Sequence, residues 1–203
     1  MSEPSAVRIP AKENPFGVEI WDCSAFTQTM MSTTGDPAVA ASFVSRRSST
    51  GVECRDQPIA AGVTGLPATD VETILCDLQY SYQGEVLDGV LFRAECMEDK
   101  WDIYLYSPYL YFVRSWGGQL IYRATLRSEP GFVRVTQIEV ARGEDAHFNR
   151  QVVDFLIKSH LFRQDVPHPL PRTLPQEPEK IAVWSFSSFG RRCRYGAYAD
   201  RHS

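Results

Sequence analysis

The sequence predicts an α+β fold: an antiparallel β-meander of five to six strands packed with two to three helices, in a single domain over residues 1–203. Three observations carry this. The stretch from Trp101 to Gly118 reads as two aromatic β-strands and two turns. Five strand-like segments, Val86–Cys96, Trp101–Tyr106, Leu110–Trp116, Gln119–Arg127 and Phe132–Val140, follow one another across connections too short for a parallel crossover. Beyond them, Phe148, Val152, Phe155, Leu156 and Ser159 share one helical face over Ala146–Phe162.

In chain order, residues 1–14 read as a loose polar leader and Phe16–Trp21 as a first strand. Asp36-Pro37 supplies a helix start, with Asp as cap and Pro at the first helical position, and Val39, Phe43 and Val44 form its apolar stripe toward Arg47. Residues 48–68, rich in Ser, Gly, Ala and Pro, read as loop. Thr69 and Glu72 suit a capping box, and Val71, Ile74, Leu75, Leu78 and Tyr82 follow helical spacing. A strand over Leu75–Tyr82 competes with that helix. After the meander and its helix, residues 165–180 form a Pro-rich extended connector, because proline has no N–H to give a ladder. Ile181–Phe189 reads as a last strand and residues 190–203 as a basic tail.

Composition bounds the function. The chain has 203 residues, 43% hydrophobic and 23% charged, which is a globular balance. A net charge of −4 argues against broad nucleic-acid binding. The polar start and the lack of a long apolar run argue against a secretory signal or a membrane span. Five dispersed cysteines without a C-x-x-C pair fit reduced thiols in a cytoplasmic protein rather than a disulfide framework or a zinc site. No metal-binding histidine spacing and no phosphate loop is present, so no cofactor, metal or catalytic set is expected.

Strand pairing sharpens the meander. Setting Leu105 opposite Leu110 places Ile103 against Phe112 and Trp101 against Arg114. Reading Gly117-Gly118 as a two-residue turn pairs Trp116 with Gln119, Arg114 with Ile121 and Phe112 with Arg123. One face then carries Trp101, Arg114, Trp116 and Arg123, and the other the tyrosines together with Val113, Leu120 and Tyr122. An arginine beside two tryptophans either stacks on a ring and pairs internally, or grips a carboxylate or phosphate. Trp101, Arg114, Trp116 and Arg123 are therefore the candidate binding residues for an unknown protein or a small anionic ligand, and a non-catalytic binding module is the favoured function.

Two resemblances add to this. The pattern Leu110-Tyr111-Phe112-x-Arg114-Ser115-Trp116-x-Gly118 is similar to an aromatic hairpin with an Arg-Ser-Trp-Thr-Gly core in small uncharacterised bacterial proteins. Gly117 replaces the threonine, and that resemblance implies a strand pair without an activity. The run Met31-Ser32-Thr33-Thr34-Gly35-Asp36-Pro37 resembles the Ser-Thr-Ser strand and following helix of arginine-specific-type ADP-ribosyltransferases. It implies an NAD-using enzyme in which an upstream arginine, here Arg8, holds phosphate and a Glu-x-Glu, here Glu177-Pro178-Glu179, carries catalysis. A third option is a bacterial immunity-type inhibitor, which suits a small acidic domain.

Overall fold

The computed structural model describes residues 5–33, 70–115, 117–143 and 145–198. The fold is α+β, as expected, with three helices and ten strands among these residues. The chain divides into two compact units. The first draws on residues 1–41, 96–100 and 151–203, and the second on residues 42–95 and 101–150. The expected helix start at Asp36-Pro37 and the loop 48–68 lie outside the described residues.

The second unit is built on a six-stranded antiparallel sheet. Its strands are β3 (Val71–Ser81), β4 (Gly89–Phe92), β5 (Trp101–Tyr106), β6 (Tyr109–Arg114), β7 (Gln119–Glu129) and β8 (Phe132–Ala141), in the order β3-β8-β7-β6-β5-β4. The run from β4 to β8 is the meander that the short connections require. Trp101 pairs with Arg114, Ile103 with Phe112 and Leu105 with Leu110, as the turn placement predicts. Val71–Tyr82, which reads as helix or strand in the sequence, is a strand over Val71–Ser81. A bulge between Leu75 and Leu78 places both Ile74 and Leu78 on the buried face, and this mimics helical spacing.

One face of this sheet is the core. Trp101, Ile103, Leu105, Leu110 and Phe112 are at most 4% exposed, as are Tyr122, Ala124, Val135, Ile138 and Val140. Phe112 is fully buried and meets the Tyr122 ring edge-on at 6.4 Å. Phe112→Ala is expected to lower the stability read from urea unfolding by about 3–5 kcal/mol, from lost burial and a cavity. A loss under about 1 kcal/mol would contradict the placement of the core.

The first unit holds a four-stranded sheet, in the order β1-β2-β10-β9. Its strands are β1 (Val7–Ile9), β2 (Ile20–Asp22), β9 (His168–Leu170) and β10 (Tyr195–Tyr198). The leader and the basic tail therefore both contribute strands. The proline connector contributes an edge strand, and β9 lies parallel to β10. Helix α1 (Ser24–Thr33) starts where the Asp22 carboxylate accepts the Ser24 N–H at 2.8 Å. Helix α2 (Ala146–Leu156) passes into a π-helical turn over Ile157–Leu161.

The expected last strand at Ile181–Phe189 is instead helix α3 (Pro178–Phe189). Its buried residues, Ile181, Ala182, Ser185, Phe186 and Phe189, follow helical spacing, and Pro178 opens the first turn. Ile181 and Ala182 pack with Ala6, Trp21, Cys23 and Leu170. Below the helix end, the buried Asp99 carboxylate accepts two hydrogen bonds from Arg191, at 2.6 and 2.8 Å.

Candidate functional site

Of the residues expected to form one face, the structure brings Trp101 and Arg114 together and places Arg123 on the other face. Arg114 lies over the Trp101 ring, at 4.9 Å, and Trp101 stacks on Tyr122 at 6.1 Å. Burial lowers the Arg114 pKa, with Tyr122 opposing. Trp116 lies outside the described residues. Arg123 is a correction: it pairs with Tyr111 rather than Phe112. The connection after β6 returns to Gln119 opposite Arg114, and a bulge beyond Leu120 shifts the register. A shift of one residue exchanges the faces, so Arg123 joins the tyrosines while Tyr122 joins the core.

On the tyrosine face, Arg123 stacks over Tyr109 at 4.9 Å and ion-pairs with Glu139. The hydrogen bond to Glu139 is also the main cause of its raised pKa. Tyr104, Val113 and Leu120 form a small buried cluster on this side, flanked by Tyr106 and Tyr111. These observations give Arg114 a packing role. Arg114→Ala is expected to cost about 1–2 kcal/mol of unfolding free energy, and Arg114→Lys to recover little because an ammonium lacks the flat stacking surface. Wild-type stability in both variants would contradict this role.

The run that resembles the ADP-ribosyltransferase strand is helical over its described residues. Met31–Thr33 close helix α1 rather than forming a strand, and the Ser32 hydroxyl donates to the Thr29 carbonyl at 2.7 Å. Arg8 is ion-paired with Glu19 at 2.6 Å, and Glu177 with Lys180 at 2.9 Å. Thr34 lies outside the described residues.

A groove of about 440 Å³ lies in the first unit. Phe16, Val18, Phe155, Pro167, Pro169 and Tyr198 give it apolar walls, and Ala197 lies along it. Its polar side comes from Gln151, Asp154 and Lys158, which recur every three or four residues along α2 and its π-helical turn. Lys158 donates to Asp154 at 2.7 Å. The Gln151 Oε1 is buried and has no hydrogen-bond partner.

The rim is held by backbone and side-chain bonds. Asn14 donates to the Pro10 and Val18 carbonyls, both at 2.8 Å, and accepts the Phe16 N–H at 2.9 Å. Tyr198 donates its hydroxyl to the Leu174 carbonyl at 3.1 Å. Pro167 and Pro169 offer no N–H groups to an added strand.

Behind the groove, His168 Nε2 and Ser185 Oγ are 2.8 Å apart, and both residues are fully buried. Burial lowers the His168 pKa to about 3 and is the main cause that raises Cys23 to about 12, where a Ser185 hydrogen bond opposes it. The trio is therefore neutral at pH 7. A thiolate–imidazolium nucleophile requires the opposite charges, so this network ties β2, β9 and α3 together instead.

Among the described residues, no group of three or more His, Cys, Asp or Glu side chains converges to hold a metal, and no helix is long and apolar enough to cross a membrane. The four described cysteines are unbonded. Comparison with known protein families, curated proteins and solved structures found no match. The groove residues escape sequence reading because they come from four separated stretches. The one local sign is the spacing of Gln151, Asp154, Phe155 and Lys158, which also reads as an ordinary amphipathic helix.

Proposed function

We propose that the chain is a non-catalytic small-ligand-binding module that uses the groove of its first unit. The carrying observation is the groove itself: a preformed concavity of about 440 Å³, apolar on most sides, with three polar groups along one helix face. That is the size and make-up of small-molecule sites. The bonds from Asn14 and Tyr198 hold the rim in place, which lowers the ordering cost of binding. The π-helical turn at Ile157–Leu161 widens the backbone at Lys158, a device found often at functional sites. Unbonded cysteines at the four described positions fit a cytoplasmic setting for such a module.

A ligand-observed NMR screen with a panel of small aromatic and aliphatic fragments tests this reading. Fragments carrying an apolar body are expected to bind saturably, and Ala197→Trp, which fills the groove, is expected to remove that binding while the urea midpoint stays near wild type. Absence of binders, or binding that survives Ala197→Trp in full, would overturn the proposal.

A further inference from the structure

We infer that the groove selects a zwitterionic α-amino acid with a large apolar side chain, held by its ammonium and carboxylate against Asp154, Gln151 and Lys158. This rests on the groove being the binding site. The apolar walls from Phe16, Phe155 and Tyr198 call for an apolar body. The polar side is specific in sign and order. Gln151 and Asp154 present two acceptors one helical turn apart, and Lys158 presents a cation one turn further on.

Asp154 and Lys158 are themselves in contact at 2.7 Å, with side-chain exposures of 27% and 37%. The pair is thus reachable from solvent and neutral in sum. A ligand with a single charge would add an unbalanced charge to that pair. A ligand with ammonium and carboxylate on one carbon lies antiparallel to it, ammonium toward Asp154 and carboxylate toward Lys158, and completes a ring of four alternating charges.

Gln151 supplies the second argument. Its buried oxygen lacks a donor, and a buried acceptor left without one is unfavourable. An ammonium carries three N–H bonds, enough for Asp154 and, once its side chain turns toward the groove, Gln151. A carboxylate or a hydrocarbon in the same place leaves Gln151 unsatisfied. The walls and the three polar groups therefore ask for the same molecule.

Calorimetric titration of the full chain with L-phenylalanine, 3-phenylpropionate and phenethylamine tests the inference. The second probe lacks the ammonium and the third lacks the carboxylate. L-phenylalanine is expected to bind at least tenfold more tightly than either. Asp154→Asn is expected to bring L-phenylalanine and 3-phenylpropionate to within about threefold of each other, and Lys158→Gln to do the same for L-phenylalanine and phenethylamine. Equal binding of all three by the wild type, lost in Ala197→Trp, overturns the zwitterion and leaves the groove standing. So does failure of L-phenylalanine, L-tryptophan and L-leucine to bind where other fragments still occupy the groove. If no probe or fragment binds, both readings fall.

Discussion

Gly190→Ala is expected to destabilise the protein by at least about 3 kcal/mol, and to abolish folding if the backbone cannot move. Gly190 ends helix α3 with φ near +58°, in the left-handed region that side chains disfavour. Space is the stronger constraint. A Cβ at this position would sit 1.6 Å from the Glu98 carbonyl oxygen and 2.7 Å from its carbon, both backbone atoms. The chain cannot retreat cheaply, because the next N–H, from Arg191, donates to that same carbonyl at 2.9 Å. The Arg191 guanidinium is in turn held by the buried Asp99. Urea denaturation checks this. Gly117→Ala is the control: an added Cβ there meets nothing within 4 Å, and the change is expected to stay within about 0.5 kcal/mol. A Gly190→Ala protein as stable as wild type would refute the close approach.

Mild acid is expected to weaken the fold well before the carboxylates protonate. His160 and His168 are 3% and 0% exposed, and burial lowers both pKa values to about 3. Arg192 reinforces the shift at His160. Each histidine is neutral in the folded chain and titrates near its ordinary value when unfolded. As pH falls below about 6.5, only the unfolded chain takes up these protons, so stability is lost as pH drops toward the folded values. Between pH 7 and pH 5 the loss is about 2 kcal/mol for each histidine. Urea midpoints across that interval measure it. Replacing His168 with Gln should flatten the slope by about half, whatever it does to stability at pH 7. A wild-type midpoint that stays level from pH 7 to pH 5 would mean that neither ring is buried as described.

What was legible in the residues was local pairing. The β5–β6 register follows from setting Leu105 opposite Leu110 across a short turn, which puts Trp101 opposite Arg114. The failures have physical causes. Bulges leave no local mark, and the one beyond Leu120 carries Arg123 onto the tyrosine face against the simple ladder. The bulge between Leu75 and Leu78 made a strand look helical. At Ile181–Phe189 a short apolar run fits both a buried strand and a helix, and the Pro178-Glu179 start decides for the helix. The groove was invisible because Phe16, Lys158, Pro167 and Tyr198 meet only once the fold exists.

The most direct test of the binding assignment is an amide-resolved NMR titration with L-phenylalanine. The account predicts saturable shifts at Phe16, Val18, Gln151, Lys158, His168 and Tyr198, with Trp101, Arg114 and Arg123 unmoved. Shifts confined to the β5–β6–β7 face would return the site to Trp101 and Arg114 and contradict the groove.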